Sequence, residues 1–280
     1  MIRIIFNPKS GKNTNSEKLQ RFLDKLQAEK ILYAMYKTER KGHGKSLARE
    51  LSKTKEPIVI AGGNGTVYEA INGMNIEIPI SIIPLGTGND AAKTLGIKFN
   101  LPKNIEALKK SPKLVDYMII NDKYRALSFI ACGVLVEIAR KRNVNKTSYL
   151  SALSSLLFSF KAKTYEIEFN GEKKTVEADF ISVHNAVYAV DGMYLGFDAK
   201  MDDGILNLLI VEYKGKLRRI FNFIAILNKS LHKQPNVTMA KINKTTIKGE
   251  SDKYCCVDGE IIEEKEVTVQ VIPKGMKILY

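Results

Sequence analysis

The residues with the clearest chemistry are glycines in two loops. The apolar runs Ile58-Val59-Ile60 and Ile80-Ser81-Ile82-Ile83 lead into Gly62-Gly63-Asn64-Gly65-Thr66 and Pro84-Leu85-Gly86-Thr87-Gly88-Asn89-Asp90. Glycine lets backbone N–H groups close on an anion, and a helix that starts there adds a favourable dipole. Helical sequence follows each loop, VYEAING and DAAKTLG, with Gly73 and Gly96 as expected C-caps. Strand, glycine loop, helix is the layout of a phosphate site, and here it occurs twice between Pro57 and Gly96. A third loop, Asn7-Pro8-Lys9-Ser10-Gly11, also follows a strand and precedes a helix, so its amides suit a phosphate as well.

Two acidic segments stand further on. Met201-Asp202-Asp203-Gly204-Ile205-Leu206 reads either as a tight Asp-Gly hairpin turn or as a hard-cation site, since carboxylates with backbone carbonyls suit Mg²⁺. Val257-Asp258-Gly259-Glu260 reads as a hairpin turn. Other patterns carry less. Gly42-His43-Gly44-Lys45-Ser46 imitates the end of a Walker A loop, but Glu39 stands where that loop needs glycine. Gly86 to Ala91 fits G-x-G-x-x-A, yet Asp116 lies too far on to be the acidic partner of a dinucleotide site. His43, His184 and His232 are scattered, which argues against a transition-metal site. No G-x-S-x-G elbow supports a serine nucleophile.

The elements that must position these loops follow from periodicity. Ile2 to Phe6 reads as a strand, and Ser16 to Lys30 as a helix with Leu19, Phe22, Leu23 and Leu26 on one face and Ser16 as N-cap. Ile31 to Thr38 is a second strand and Gly44 to Ser52 a second helix. Strand–helix alternation through Gly96 predicts a mostly parallel sheet with helices on its faces. After Leu114 the texture changes to alternating or apolar runs with Asn-Gly and Asp-Gly turns, which predicts a β-rich domain built of hairpins. Two helical inserts, Ser148 to Phe160 and Leu217 to His232, interrupt it. The boundary is expected near residue 118, giving domains 1–118 and 119–280, with the last few residues free to return to the first.

Taken together, these motifs resemble the diacylglycerol kinase catalytic-domain family. That family includes soluble bacterial lipid kinases and sphingosine and ceramide kinases, with NAD kinases more distant. The resemblance runs from Asn7 to Glu260 and implies an ATP-binding α/β domain followed by a β-rich, sandwich-like lipid-acceptor domain. It assigns ATP binding to Asn7, Pro8, Lys9, Ser10 and Gly11, to Thr38, to Gly63, Asn64, Gly65, Thr66, Val67, Tyr68 and Glu69, and to Thr87. The family's DDGxLxV segment matches Asp202, Asp203, Gly204 and Leu206, and Leu209 less closely. It implies a metal site with Asp203 as side-chain ligand and the carbonyls of Lys200 and Ile205, distinct from the ion on ATP. The family's DGE motif matches Asp258-Gly259-Glu260. Its implied general base is Glu260, with Asp258 as the second catalytic candidate. Three positions depart from the family: Asn64 replaces an Asp, Asn207 stands where relatives often carry Asp or Glu, and a glycine cluster is thinned to Asp191-Gly192.

The implied activity is transfer of phosphate from ATP, with Mg²⁺, to the hydroxyl of diacylglycerol or a similar lipid alcohol. Asn64 makes a nucleotide- or lipid-binding paralogue with impaired catalysis the alternative, unless Asp90 or Glu69 supplies the missing charge. An NAD kinase is disfavoured by the PLGTGND loop and the placement of the DGE segment. The formal charge of +14 favours an anionic partner: nucleotide, nucleic acid or acidic membrane. No recognition motif supports nucleic acid. Basic residues flank both helical inserts, Arg140-Lys141-Arg142 and Lys146 on one, Arg218, Arg219, Lys229 and Lys233 on the other, which suits an interfacial helix on anionic lipid. The chain opens straight into a strand pattern with no signal-peptide core, and no apolar run approaches the roughly 20 residues that span a bilayer. With three cysteines that form neither a disulfide framework nor a metal spacing, a cytoplasmic protein associated peripherally with the inner membrane face is expected, and a homodimer is open.

Overall fold

Strands buried on both faces need apolar residues at every position, and the first half of the chain supplies them. The computed structural model describes residues 1–11, 15–145, 154–157 and 159–280. The first elements are β1 (Ile2–Phe6), α1 (Asn15–Ala28), β2 (Tyr33–Lys37), α2 (His43–Leu51), β3 (Ile58–Gly62), α3 (Asn64–Ile71), β4 (Ile80–Pro84), α4 (Asp90–Thr94) and α5 (Leu101–Ala107). Their strands run parallel in the order β2-β1-β3-β4. Ile5, Ile58, Ile60, Ile80 and Ile82 pack on one face with Ala48 and Leu51 of α2 and Val67, Ala70 and Ile71 of α3. Ile4, Phe6, Val59, Ala61 and Ile83 point the other way, onto Leu19, Phe22, Leu23 and Leu26 of α1. The glycine loops therefore emerge at the C-terminal ends of β3 and β4, where open α/β sheets bind ligands.

Two details differ from the sequence expectation. Asn15 is already helical, so Ser16 lies inside α1; the Asn15 amide donates to the carbonyls of Ser10 and Leu85 at 2.8 and 2.5 Å. Gly96 is a left-handed residue (φ 71°) just past α4, as a C-cap requires. Gly73 is not: a side chain there would strike the backbone of Lys45, so glycine serves close packing against α2.

The second half comprises β5 (Lys113–Ile120), β6 (Tyr124–Ala126), β7 (Phe129–Gly133), α6 (Val134–Asn145), β8 (Lys163–Phe169), β9 (Glu172–His184), β10 (Tyr188–Ala189), β11 (Met193–Tyr194), β12 (Leu206–Glu212), α7 (Lys216–Leu227), β13 (Val237–Ile242), β14 (Lys244–Gly249), β15 (Tyr254–Val257), β16 (Glu260–Glu263) and β17 (Glu266–Ile278). Hairpins dominate it. Asn170-Gly171 and Asp258-Gly259 turn β8 into β9 and β15 into β16, each pair with φ positive at both residues, the conformation that suits a twisted two-residue turn. Its core gathers alternate residues from many strands, among them Met118, Ile130, Tyr165, Ile181, Leu208, Ile247 and Val269.

The β17 strand joins the halves. It pairs with β5 and β14 in the second half, bends between Ile272 and Met276, and then sets Ile278 beside Ile80 of β4. Asp116 holds the bend, one oxygen accepting Lys274 N–H at 2.7 Å and the other Gly204 N–H at 2.6 Å. The end of the chain thus returns to the first sheet, where Leu279 N–H donates to Ile80.

Helix α6 lies in the β-rich half at a place where the sequence reading expects no helix. Val134 and Val136 are β-branched, but Leu135, Ile138 and Ala139 are buried with Phe129, Phe180 and Leu209, and packing overrides propensity. The expected insert Ser148 to Phe160 lies largely outside the described residues, as does Lys146. The insert expected from Leu217 to His232 is α7, which ends at Leu227. Among the described residues, no helix is long and apolar enough to cross a membrane.

Candidate active site

Three loops meet at the ends of β1, β3 and β4, and a threonine ties two of them. Asn7 Nδ2 donates to Thr66 Oγ1 at 3.0 Å, and the Ser10 hydroxyl lies 3.3 Å from the same oxygen. Asn7 also accepts Lys9 N–H at 3.0 Å, an Asx turn that shapes the loop. Ser10 Oγ accepts Gly63 N–H at 3.3 Å. The second and third loops touch backbone to backbone. A Cβ on Gly63 would come 3.0 Å from Gly86 Cα, and a Cβ on Gly86 would meet Gly63 more closely still. Only glycine at both places permits that approach. The consequence of a side chain at Gly63 is therefore a collision between loops, ahead of any intrusion on a phosphate.

Asn64 opens α3 and forms a two-point contact with Asp90 at the start of α4. Its Oδ1 accepts Asp90 N–H at 2.8 Å, and its Nδ2 donates to Asp90 Oδ2 at 2.7 Å. Asp90 Oδ2 also accepts Asp191 N–H at 3.2 Å. Asp191 belongs to the turn between β10 and β11, where Val190, Asp191 and Gly192 all have positive φ. For a β-branched residue such as Val190 that is strained backbone, of the kind concentrated at ligand sites. Asp90 is fully buried, and its Oδ1 has no hydrogen-bond partner. Burial, with Asp191 nearby, pushes the Asp90 carboxyl up to about 7. A buried orphan oxygen on a carboxylate beside phosphate loops fits a divalent cation, which takes oxygen donors.

The second half of the molecule contributes the β15–β16 hairpin. Asp258 is buried in its turn and accepts N–H groups from Leu127 at 2.7 Å and from Ser128 and Phe129 at 2.9 Å. Burial raises its carboxyl to about 6 against the pull of those amides. Glu260, two residues on, turns outward, with Oε1 3.2 Å from where a Cβ on Gly65 would lie. Its other oxygen pairs with Lys41 Nζ at 2.5 Å. Two adjoining hollows of about 210 and 260 Å³ share Lys9, Ser10, Gly63, Gly65 and Glu260. Together they reach the size range of small-molecule sites, roughly 300–1,000 Å³.

Comparison with known proteins fits this geometry. Residues 1–120 match the diacylglycerol kinase catalytic domain, and residues 133–280 match the YegS C-terminal NAD kinase beta sandwich-like domain. The chain belongs to the diacylglycerol kinase-like family. It is 29% identical over 273 residues to a diacylglycerol kinase of Staphylococcus saprophyticus, covering 92% of this chain and 88% of that one. A diacylglycerol kinase of Staphylococcus aureus is also 29% identical over 273 residues, with 92% and 85% covered. In fold, a diacylglycerol kinase crystal structure from Bacillus anthracis superposes with a TM-score of 0.82 at 24% identity, covering 100% of this chain and 96% of that one. An NAD kinase from Archaeoglobus fulgidus in complex with ATP has a TM-score of 0.56 at 12% identity, with 100% and 94% covered. The α/β domain with parallel strands and the β-rich, sandwich-like second domain are the architecture of this diacylglycerol kinase-like family.

Against the family expectation, most named residues converge on the cleft and some turn away. Asn7, Lys9, Ser10, Gly11, Thr38, Gly63, Asn64, Gly65, Thr66, Glu69, Thr87 and Glu260 line the two hollows, with Pro8 exposed in the first loop. Val67 is buried in the core under the sheet, and Tyr68 packs on the core of the second half, so both position the loop instead of facing the cleft. Glu69, one proposed source of compensating charge, is committed to α2: it accepts Gly42 N–H at 2.7 Å and Gly44 N–H at 2.9 Å. Asp90 is the carboxylate beside Asn64. Asp258 borders one hollow, and its oxygens accept three backbone amides, the geometry of an anchor for the turn.

The Lys200–Ile205 segment is no hairpin turn between adjacent strands. It is a loop leading into β12, held by Asp116 and by Asn243 Nδ2, which donates to Gly204 at 2.8 Å. Asp203 is exposed and spends Oδ1 on Ile205 N–H at 3.1 Å. Among the described residues no group of three acidic, histidine or cysteine side chains converges there or elsewhere. The loop therefore offers a cation one carboxylate with backbone carbonyls. Asn207 has its own task, donating to Gly196 and to Asp198 at 2.8 and 2.9 Å. Sequence reasoning missed Lys41, which reaches Glu260 across the cleft, and the part of Asp191 beside Asp90. Neither carries a local signal, since each contact joins distant parts of the chain.

Proposed function

We propose that this chain is an ATP-dependent kinase acting on the hydroxyl of diacylglycerol or a similar lipid alcohol. One observation carries the reading: a carboxylate from the second half, Glu260, stands over the glycine loop of the first. Phosphoryl transfer asks the protein mainly for positioning and for stabilisation of charge. The Asn7–Gly11, Gly63–Thr66 and Gly86–Gly88 loops offer backbone N–H groups, and Lys9 offers a cation, to the phosphates. Glu260 takes the proton of the acceptor hydroxyl as that oxygen bonds to phosphorus and the bond to the departing ADP oxygen breaks. Lys41, exposed and paired only at its tip, has a second anion to move to once phosphate enters. Asp90 Oδ1 would hold the Mg²⁺ that accompanies ATP, with Asn64 orienting Asp90; when bound, that ion neutralises phosphate charge. The Asp203 loop, with the carbonyls of Lys200 and Ile205, would hold a separate structural ion. The NAD kinase of like fold in complex with ATP supports the choice of nucleotide. The Asp90 carboxyl beside Asn64, with an oxygen free of partners, supports an active enzyme over an impaired paralogue.

The test is ATP turnover with a panel of lipid alcohols in mixed micelles, with NAD and DNA as controls. The expected result is ADP formation that depends on diacylglycerol or a close relative. Turnover with NAD alone, or none with any lipid, would overturn the reading.

A further inference from the structure

Helix α7 is amphipathic the wrong way round. Its buried face carries Arg219 and Asn222 with Ala225 and Ile226. Arg219 is matched there: it donates to Asp179 Oδ1 at 3.0 and 2.6 Å and to the carbonyls of Leu157 and Phe160 at 3.0 and 2.8 Å. The outer face carries Leu217, Phe221, Ile224 and Leu227, at 74, 57, 45 and 48% exposure. Their spacing of four, three and three residues puts them on one stripe along the helix. They make up half of the large hydrophobic side chains exposed among the described residues, where single scattered ones would be unremarkable.

The charge around this stripe has one sign. Between Glu212 and Glu250 there is no acidic residue, and there are nine Lys and Arg. Arg219 is neutralised by Asp179, Lys214 by Glu212 and Lys241 by Asp198. Lys216, Arg218, Lys229 and Lys233 remain at the ends of the helix, and no salt bridge to them is found among the described residues. An apolar stripe bracketed by unpaired cations complements a surface that is greasy beneath and anionic above.

We infer that the outer face of α7 docks this protein on an anionic lipid bilayer, with Leu217, Phe221 and Ile224 entering the headgroup boundary and the flanking cations meeting lipid phosphate. The inference rests on the lipid-kinase reading for its purpose, delivery of a bilayer-borne acceptor, but its binding readout needs no turnover. The full chain is sedimented with vesicles of phosphatidylcholine alone, or of phosphatidylcholine and phosphatidylglycerol in equal parts. Wild type pellets with the anionic vesicles, and binding weakens with salt, as screening over about 8 Å at physiological ionic strength requires. The triple substitution Leu217→Ser, Phe221→Ser, Ile224→Ser lowers vesicle binding about tenfold or more, with an unchanged or raised melting temperature because all three side chains are exposed. Lys216→Gln with Lys229→Gln flattens the salt dependence. Turnover of a short-chain acceptor in solution is retained by the triple variant, while turnover of the same headgroup in vesicles falls. Equal vesicle binding by wild type and triple variant overturns docking. So does a wild-type dimer that the triple variant converts to monomer, which would make the face a contact between copies. Vesicle binding without turnover on either acceptor form would sink the kinase reading and leave docking standing.

Discussion

At the scale of single residues, the proposed cation site rests on the Asn64–Asp90 pair. Asn64 donates to one Asp90 oxygen and leaves the other without a partner. Replacing it with aspartate sets two carboxylates face to face at hydrogen-bond distance in a buried place. Without a cation, Asn64→Asp is expected to cost about 1–3 kcal/mol, the scale of a lost buried hydrogen bond, and to lower the melting temperature in EDTA. With Mg²⁺ the second carboxylate becomes a donor, so the variant should recover more stability on adding the ion than wild type does. Its turnover should rise more at limiting than at saturating Mg²⁺. An unchanged melting temperature in EDTA would contradict the pairing. Asp90 gives a pH signature as well. Its folded carboxyl is raised from 3.8 to about 7, so its contribution to apo stability is full below pH 4 and is lost as pH rises through 7. A cation prefers the ionised form, so Mg²⁺ should stabilise the protein more at pH 8 than at pH 6. Thermal melts with and without MgCl₂ at both pH values measure this, and equal increments would count against Asp90.

At the scale of elements, the β15–β16 hairpin works as a bracket. Its left-handed Asp258-Gly259 turn is held by three amides of the Leu127–Phe129 segment, and Glu260 takes its place from that turn. Asp258→Ala leaves those three buried N–H groups unpaired, an expected loss of at least about 3 kcal/mol and a melting temperature lower by several degrees. Asp258→Asn, which keeps one acceptor oxygen, should retain part of the stability. A stable but inactive Asp258→Ala would assign Asp258 a part in the chemistry and not an anchoring one. The hairpin was legible in sequence because an Asp-Gly turn between apolar strands is a local signal, as were the parallel strands, the Asn7–Gly11 loop and the tandem glycine loops. Less legible was why the loops need glycine: Gly63 and Gly86 touch each other across twenty-two intervening residues. Helix α6 went unread because its start, with Val134 and Val136, carries no helical signal of its own and its packing joins distant strands. Asp116, Asp191 and Lys41 act on residues far along the chain, which no periodicity reports.

At the scale of the whole molecule, the two halves share one continuous set of paired strands. The β17 strand crosses between them, and the cleft lies where the ends of the parallel strands face the hairpin domain. In the proposed reaction the first half supplies amides and cations for a phosphate chain. The second supplies the Glu260 carboxylate that reaches over Gly65, and the proposed reaction needs both. That division of labour predicts that binding and chemistry separate on mutation. The measurement that tests it most directly compares wild type with Glu260→Gln in two assays: ATP affinity, and single-turnover phosphate transfer from ATP to diacylglycerol in mixed micelles. The account predicts unchanged ATP affinity with transfer slowed by about 10² or more, the scale of general-base loss. Near-normal transfer by Glu260→Gln would contradict it.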